Sequence, residues 1–456
     1  MCGIIGIVDT ECHASRTALE GLMSIQHRGQ DSSGILSFND NLIMKKGVGL
    51  VSEVFSQWKV PESRLAIGHV RYPTVGKDPS RDAQPFYVNY PYGIGLCHNG
   101  NVVNFCELCD ELVKKRRRLQ SSCDGELLLN VLAEELIGND VIQAVENVMN
   151  RVQGSYSTLS LIADQPGKLI FFRDPWGIRP LVYGAGQSCS IAASESVALD
   201  KFGVEVHDVR PGELIICENE EMQRYQLKKE RTAHCMFEWV YFSRADSIIE
   251  GRSVYETRLH LGRNLELDSE VDVVIPVPDT ARPAALGYAE AHDLPYREGL
   301  IKNRYAGRSF IMSTQKKREK TVSKLNVIKS EVRGKKIALV DDSIVRGTTS
   351  RRIVSMIRDA GAKEVHLLSS CPKISYPCYY GIDFPSKKEL IACRGEIDMI
   401  GADSVTYQTL GGLRNAIGLG DLCMACLNGD YPVKCCATQF EVMREKEREE
   451  IVWQEY

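Results

Sequence analysis

Two adjacent carboxylates, Asp341 and Asp342, follow a short apolar run at residues 337–340. A run of this length and composition is typical of a buried parallel strand. The small-residue loop beyond the carboxylates contains Arg346, Gly347, Thr348, Thr349 and Ser350. Free N–H groups between a strand end and a helix start favour an anion, and hydroxyl side chains add donors for a phosphate monoester. Because carboxylates repel phosphate, the two aspartates indicate a ligand that also brings hydroxyl groups or Mg²⁺.

Cys2 is the second residue with potential chemistry. Removal of Met1 would leave its thiol beside its own α-amino group, whose unperturbed pKa of about 8 suits a general base. Small and β-branched residues alternate from Gly3 to Val8, which predicts a strand that starts at the terminus. A cysteine at position 2 is by itself more often accidental than catalytic, so its interpretation depends on the rest of the sequence.

Two strand–loop–helix units must position the paired carboxylates. The helix after the first loop is predicted from an apolar face formed by Ile353, Met356, Ile357 and Ala360. A second apolar strand is predicted at residues 271–278, followed by a loop at 279–282 and another helix. Two such units predict a doubly wound sheet, in which the loops at the carboxyl ends of the strands form the ligand site.

The stretch from Asp341 to Ser350 resembles the 5-phosphoribosyl-1-diphosphate (PRPP) motif of type I phosphoribosyltransferases. The resemblance implies that Asp341 and Asp342 position ribose hydroxyls and Mg²⁺. It also implies that Gly347, Thr348, Thr349 and Ser350 hold the 5′-phosphate, with Arg346 among the PRPP-binding residues. The second loop of that family contributes Mg²⁺ contacts, usually through serine and glycine. This chain has Thr280, which keeps the hydroxyl, and Ala281.

Three stretches besides the N-terminal CGIIGI carry a second resemblance: QHRGQDSSG at 26–34, GHVRYPT at 68–74 and HNGN at 98–101. Together the four resemble the class II glutamine amidotransferase domain, an N-terminal-nucleophile hydrolase with an αββα sandwich. The resemblance implies that Cys2 attacks the side-chain amide of glutamine. It implies that Asn99 and the N–H of Gly100 form the oxyanion hole.

The same resemblance implies three glutamine-binding residues: Arg71 for the α-carboxylate, Asp124 for the α-ammonium, and Thr74. A guanidinium suits bidentate recognition of a carboxylate. The family more often has a hydroxyl residue after the aspartate, where this chain has Gly125.

The composition is that of an ordinary soluble globular protein, with 456 residues, 43% hydrophobic and 25% charged residues and a net charge of −4. The length predicts two or three domains. The sequence lacks an apolar run of the ~18 residues that a membrane span needs, and it lacks a signal-peptide pattern. We therefore expect a cytoplasmic protein without nucleic-acid or membrane partners. Sixteen cysteines in such a protein indicate thiols that are reduced, catalytic or metal-bound.

A polar, charged stretch at 226–231 predicts a boundary between an amidotransferase domain at 1–230 and a phosphoribosyltransferase domain at 231–456, which includes a cluster-binding segment and a charged tail. Apolar residues recur at helical spacing between residues 107 and 150, which predicts a helical region there. The basic run at 114–118 could be a nuclear address or a nucleic-acid patch, but a solvated helix end is favoured. Residues 302–336 hold twelve Lys or Arg against two Glu, which predicts a mobile basic lid over a polyphosphate.

Both resemblances, in this order, point to the family of glutamine phosphoribosylpyrophosphate amidotransferases and cover nearly the whole chain. The implied reaction converts PRPP, glutamine and water into 5-phosphoribosylamine, glutamate and diphosphate, with ammonia passing through an enclosed channel. The family further implies purine nucleotides as feedback inhibitors and a homotetramer. One alternative is a sugar-phosphate-aminating amidotransferase, against which the 341–350 motif argues. The other is a non-catalytic PRPP-sensing regulator, which would not need Cys2, Arg71 and Asn99.

Four cysteines match the ligands of a 4Fe–4S cluster in one branch of that family: Cys235, Cys378, Cys423 and Cys426. A C-x-x-C pair alone could also bind zinc, act as a redox pair or arise by chance. Four separate matches favour the iron–sulfur cluster. Four other cysteines, Cys371, Cys393, Cys435 and Cys436, remain alternative ligands.

Overall fold

The strand predicted after Cys2 lies in the middle of a seven-stranded sheet. In this computed structural model, residues 2–72, 78–164, 166–218, 221–303, 325–384, 386–395 and 397–433 are described. The strands of the first sheet are β1 (Gly3–Asp9), β2 (Ser32–Phe38), β3 (Leu42–Val48), β4 (Leu65–Arg71), β9 (Val182–Ala185), β10 (Cys189–Ala193) and β11 (His207–Asp208). Their order is β11-β9-β10-β1-β4-β2-β3, with every pair antiparallel.

A second antiparallel sheet packs against the first. Its strands are β5 (Phe86–Val88), β6 (Ile94–Val102), β7 (Gly154–Ile162), β8 (Lys168–Arg173), β12 (Glu213–Glu218) and β13 (Glu221–Gln226). They are ordered β13-β12-β8-β7-β6-β5. The layer between the sheets includes Ile4, Leu36, Leu159 and Phe171, each at most 1% exposed. Side chains from alternate positions of both sheets fill this layer, as sheet-on-sheet packing requires.

Helices cover the outer faces of the two sheets: α1 (Ala14–Ser24) and α2 (Val51–Val54) on the first, α3 (Phe105–Lys114), α4 (Asp124–Glu135) and α5 (Val141–Arg151) on the second. The helical region predicted at 107–150 is thus three helices, since polar turns interrupt it. The basic run at 114–118 follows the end of α3 and is mostly exposed, as predicted. The αββα sandwich is confirmed.

The second half is built on a four-stranded parallel sheet of β17 (Val273–Pro276), β20 (Lys336–Asp341), β21 (Glu364–Ser369) and β22 (Ser404–Tyr407), in that order. Its helices are α6 (Val254–Arg263), α7 (Arg282–Ala291), α8 (Lys329–Val332), α9 (Thr348–Asp359), α10 (Ile391–Arg394), α11 (Leu410–Ile417) and α12 (Ala425–Asn428). The predicted order of strand, loop and helix is confirmed for β17–α7 and β20–α9, so the α/β class holds.

Shorter elements complete the described chain. Strand pairs are formed by β14 (His234–Cys235) with β23 (Leu422–Cys423), β15 (Ile248–Ile249) with β16 (Arg252–Ser253), and β18 (Leu300–Lys302) with β19 (Leu325–Val327). A π-helix spans Glu238–Phe242, and single 3₁₀ turns span Gln26–Arg28, Ser196–Ala198, Asp200–Phe202, Lys387–Glu389 and Ile397–Ile400.

Three predictions fall on residues outside the described ranges. They are the role of Thr74, the greater part of the basic lid (304–324) and the charged tail at 441–456. The β18–β19 pair joins the two ends of the lid segment. Within the ranges given above, the chain has no helix that is both long and apolar enough to cross a membrane.

Candidate active sites and the cysteine core

The thiol and the backbone nitrogen of Cys2 lie at the start of β1, beside the end of β4. The backbone N–H of Cys2, whose nitrogen becomes the α-amine if Met1 is removed, donates to Oδ1 of Asn99 at 3.2 Å. Nε of Arg28 donates to the Cys2 carbonyl oxygen at 3.0 Å, which fixes the backbone of the residue. The thiol lies 3.6 Å from the carbonyl oxygen of Tyr72. This geometry places a thiol, the nitrogen of the same residue and a side-chain amide at one point, which is the arrangement that an N-terminal nucleophile would need.

Asn99 has an unused donor at this point. Its side chain is fully buried in β6, and its Nδ2 has no hydrogen-bond partner among the described residues. A buried donor without a partner costs free energy, and a ligand oxygen bound at this point would satisfy it. The next residue must be glycine, because a Cβ on Gly100 would lie 2.0 Å from the carbonyl oxygen of Ser155. The predicted oxyanion pair therefore has a donor available and a tightly fixed backbone.

Opposite charges flank the Cys2 site. Arg71 is 3% exposed and lies 3.3 Å from Asp82 (Nη2 to Oδ2). Asp124 accepts from the N–H of Val102 at 3.1 Å, and its Oδ1 lies 3.5 Å from Nδ1 of His98. Burial favours the neutral form of Asp124, but the contacts with His98 and the Val102 N–H outweigh it and keep its pKa below the usual range. An amino-acid zwitterion needs such a pair of charges.

Gln84 explains why glycine follows Asp124 in this chain, at position 125. The sequence did not indicate this role of Gln84. Its Oε1 accepts from the backbone N–H of His98 at 2.8 Å. A Cβ on Gly125 would lie 3.0 to 3.1 Å from the amide group of Gln84. The Gln84 amide therefore leaves little space for a side chain at position 125. His98 lay within a recognised stretch, but nothing in the sequence marked Gln84.

The paired carboxylates lie where the sequence places them, at the carboxyl end of β20. Strand β17 runs parallel beside it, with Pro276 opposite Val340. The turn that holds Thr280 and the loop after Asp341 therefore open at the same edge of the sheet. Thr280 is partly buried in that turn.

Among the described residues, no cationic side chain lies within hydrogen-bond distance of Asp341 or Asp342. The N–H of Asp342 donates to Oδ1 of Asp341 at 2.9 Å, and Ser343 Oγ donates to Oδ1 of Asp342 at 2.7 Å. Burial raises the pKa of Asp342 to about 6. Burial and the neighbouring carboxylate raise the pKa of Asp341 well above its usual range. One buried and one partly buried acid, neither paired with a cationic side chain at hydrogen-bond distance, are what a site for a cation or for hydroxyl groups requires.

The loop before α9 has the geometry of an anion site. Gly347 has φ +75°, and a Cβ there would lie 2.2 Å from Cδ1 of Ile391. No side chain caps the first turn of α9, so its N–H groups remain available to a ligand. Thr348 and Thr349 are exposed, whereas Ser350 is buried. Arg346 forms a salt bridge with Glu389 at 2.8 Å, a partner that the sequence did not indicate.

The four predicted cluster ligands share one buried core with Cys371. Cys235 and Cys423 are register partners in the β14–β23 pair, and Cys426 follows three residues later. The N–H groups of Ser375 and Tyr376 both donate to the Cys426 carbonyl oxygen at 3.0 Å, which brings the segment of Cys378 to the other three. Burial raises the pKa of Cys235 to about 11 and raises those of Cys423 and Cys426 further.

These thiols are close enough to influence one another electrostatically, although no group of three or more donors in the described part of the chain is arranged as a metal site. Cys393 is exposed, and Cys435 and Cys436 lie outside the described residues. Four buried thiols from three separate segments are the donor set that a 4Fe–4S cluster takes.

A buried ion cluster joins the two halves and was not found from the sequence. Arg28 and Glu195, from the first half, form an ion pair, and Nη2 of Arg28 binds Oε1 of Glu238 at 2.9 Å. All three side chains are at most 1% exposed. Removing one partner of a buried pair leaves an uncompensated charge, so this cluster fixes the two halves relative to each other. Its members are far apart in the sequence, which explains why no local pattern indicated them.

Both halves of the chain match known proteins. The family model for a glutamine amidotransferase domain matches residues 68–201, and that for a phosphoribosyl transferase domain matches residues 257–378. An amidophosphoribosyltransferase of Methanothermobacter thermautotrophicus is 44% identical, with 97% of each chain covered. The protein of the same name from Archaeoglobus fulgidus is 45% identical, with 95% of this chain and 98% of that one covered.

A solved structure has the same fold over nearly the whole chain. The glutamine PRPP amidotransferase of B. subtilis, complexed with ADP and GMP, superposes with a TM-score of 0.87 at 39% identity and covers 96% of this chain and 98% of its own. The relatives span both halves, so the alternative of an enzyme that shares only the first half is wrong. The chain belongs to the amidophosphoribosyltransferases, glutamine-dependent enzymes that catalyse the first step of purine biosynthesis.

Proposed function

We propose that the two sites divide one reaction between them. Glutamine is hydrolysed at Cys2, and the ammonia displaces diphosphate from C1 of PRPP beside Asp341 and Asp342. The products are 5-phosphoribosylamine, glutamate and diphosphate. The observation that carries the proposal is the unpartnered buried Nδ2 of Asn99, whose Oδ1 accepts from the backbone N–H of Cys2.

At the first site, the α-amine of Cys2 takes the thiol proton and the thiolate attacks the amide carbon of glutamine. Asn99 Nδ2 and the Gly100 N–H stabilise the oxyanion of the tetrahedral intermediate. The intermediate collapses to a thioester as the proton passes to the departing ammonia, and water then releases glutamate. Arg71, Thr74 and Asp124 hold the amino-acid end of glutamine in this assignment.

At the second site, Asp341 and Asp342 accept hydrogen bonds from the ribose hydroxyls, and Gly347 to Ser350 bind the 5′-phosphate with Arg346 beside them. The two aspartates and Thr280 are oxygen donors of the type that suits Mg²⁺. Mg²⁺, when bound, would neutralise charge on the departing diphosphate. The raised pKa of the acid pair supports this assignment, because a cation would relieve the repulsion.

Purified protein mixed with PRPP, Mg²⁺ and glutamine should form glutamate and diphosphate in equal amounts. The stoichiometry follows because each ammonia released at Cys2 is consumed at C1. Separate enzymatic assays for glutamate and diphosphate measure it, with reactions that lack PRPP as the control. Diphosphate without glutamate, or neither product, would contradict the proposal and favour a PRPP-sensing regulator.

We also propose that Cys235, Cys378, Cys423 and Cys426 hold a 4Fe–4S cluster. Their shared buried core supports it, since four thiolates are the usual ligand set. Bound there, the cluster would hold together segments that are distant in the sequence. An oxygen-sensitive cluster and many free thiols suit a cytoplasmic location.

Anaerobically purified protein should be brown and contain about four irons per chain, as the cluster type requires. Cys423→Ser should lower the iron content and the solubility together, because ligation is coupled to folding. Cys393→Ser is the matched control, since that thiol is exposed, and it should keep the wild-type iron content. Iron analysis and visible absorption measure both. Stoichiometric zinc without visible absorption would contradict the cluster.

The remaining functional proposals follow from the relatives. Purine nucleotides are proposed as feedback inhibitors because the B. subtilis structure is a complex with ADP and GMP. A homotetramer and a domain boundary near residue 230 are proposed from the family resemblance. Strand β13 is the last strand, in sequence order, of the two sheets in the first half. It ends at Gln226, which supports that boundary.

A further inference from the structure

One peptide group connects the sulfur of Cys378 to the strand of the oxyanion hole. Its N–H, which belongs to Tyr380, donates to Cys378 Sγ at 3.4 Å. Its carbonyl oxygen, which belongs to Tyr379, accepts from Nδ2 of Asn101 at 2.9 Å. Asn101 directly follows Gly100 in β6. A single planar unit thus bridges a proposed cluster ligand in one half and, in the other half, the residue that follows the proposed oxyanion pair.

Further contacts hold this bridge in place. Ser155 Oγ and Arg179 Nε each donate to the carbonyl oxygen of Tyr380 at 2.9 Å. Ser155 also accepts from the N–H of Asn101 at 3.2 Å, and the two residues are register partners in the β6–β7 ladder. Both are at most 1% exposed. In a dry environment, hydrogen bonds are strong and their loss is costly.

The two backbones also touch. Gly381 has φ +99°, and a Cβ there would lie 2.9 Å from the carbonyl oxygen of Gly100. The segment at 378–381 therefore packs directly against the peptide group between Gly100 and Asn101. Movement of this segment cannot leave the backbone at Gly100 unchanged.

We propose that the Cys378–Gly381 segment positions the oxyanion hole through Asn101 and Ser155, so that ligation of the Cys378 sulfur is coupled to glutamine hydrolysis. The inference rests on the proposed function, because it requires Asn99 and Gly100 to be the oxyanion donors. Neither Asn101 nor Ser155 touches the substrate in this assignment, so both are positioning residues. A thiolate is a stronger hydrogen-bond acceptor than a thiol, so ligated Cys378 holds the Tyr379–Tyr380 peptide more firmly.

The test compares wild type, Asn101→Ala, Ser155→Ala and the matched control Ser160→Ala. Ser160 lies on the same strand as Ser155, is fully buried and donates to the Gly95 carbonyl oxygen at 2.9 Å, which belongs to the same ladder. The measurements are kcat and KM for glutamine with PRPP present, synthesis from free ammonia, iron content, and amide hydrogen exchange of residues 98–103.

Asn101→Ala and Ser155→Ala should lower kcat for glutamine by about 10- to 100-fold, because small displacements of oxyanion donors have large effects. KM should change by less than about threefold, since the amino-acid end of the substrate is bound elsewhere. Iron content and ammonia-dependent synthesis should stay at the wild-type level, and exchange at 98–103 should be faster. Ser160→Ala should match wild type in every measurement.

Wild-type kcat in both variants would overturn the proposal, as would an equal loss in Ser160→Ala. Hydrogen exchange of wild type before and after iron removal tests the coupling without an activity assay. Residues 98–103 should exchange faster after iron removal, while β12 in the same sheet stays protected. A uniform change or no change would overturn the coupling. If instead Cys2→Ala retained glutamine hydrolysis, the proposed function itself would fail, whatever these variants showed.

Discussion

Replacement of Cys2 by alanine should abolish glutamine hydrolysis and leave synthesis from high concentrations of ammonia intact. The variant lacks the nucleophile, and removal of a catalytic nucleophile lowers kcat by at least about 10³-fold. The second site lies at the carboxyl ends of the strands of a separate sheet, where Asp341 and Asp342 keep their contacts. Glutamate release and diphosphate release, measured with each nitrogen source in turn, check both halves of the expectation.

Cys97→Ala is the matched control for this prediction. Its thiol is fully buried in β6, two residues before Asn99, but it has no adjoining α-amine. The variant should keep glutamine hydrolysis within a few-fold of wild type, with a small loss of stability from the lost packing. Full glutamine hydrolysis by Cys2→Ala, or by protein that retains Met1, would contradict the assignment of the nucleophile.

The residues that sequence predicts best lie in short contiguous patterns. Asn99 and Gly100 occur side by side, and Asp341 and Asp342 follow one apolar strand, so the local sequence fixes both the residues and their backbone. The same holds for the elements, because the strand from Gly3 and the units around β17 and β20 have clear periodicity.

The residues that sequence misses owe their position to long-range packing. Arg28, Glu195 and Glu238 come from three segments and meet only in the folded protein. Tyr379 and Tyr380 accept these hydrogen bonds through their carbonyl oxygens, which every residue type possesses, so their side chains carry no signal for the contacts. Arg346 was predicted among the PRPP-binding residues, and its pairing with Glu389 depends on a 3₁₀ turn that the sequence did not indicate.

The double substitution Asp341→Asn and Asp342→Asn should lower synthesis from both nitrogen sources by about 10²-fold or more, because the ribose hydroxyls and the cation lose their acceptors. It should also remove the stimulation of glutamine hydrolysis by PRPP, which we expect in wild type if occupancy of the second site is coupled to Cys2. Hydrolysis without PRPP should persist. The glutaminase rate with and without PRPP, in both proteins, measures this separation.

The same variant should be more stable than wild type at pH 7 when no ligand is present. The pKa of Asp342 is raised to about 6 in the folded state, so the folded protein binds more protons than the unfolded chain between about pH 4 and 6. Stability therefore falls as pH rises through that window, and the deficit is complete at pH 7. Asparagine carries no charge and so removes this loss of stability. The loss amounts to about 1–3 kcal/mol of unfolding free energy for a pKa shift of this size. At pH 4 the two proteins should unfold at nearly the same temperature.

Asp403→Asn provides a control of opposite sign. Asp403 accepts from the Val365 N–H and from Arg358, both at 2.7 Å, and these contacts lower its pKa despite partial burial. Its substitution should lower the unfolding temperature at pH 7 and leave both activities in place. If the double variant were instead less stable than wild type at pH 7, the acid pair would be a structural element. If it remained fully stimulated by PRPP, the loop after β20 would not be the PRPP site. Greater stability of the double variant together with lost synthesis is the result expected if Asp341 and Asp342 are kept charged for binding at a cost in folding stability.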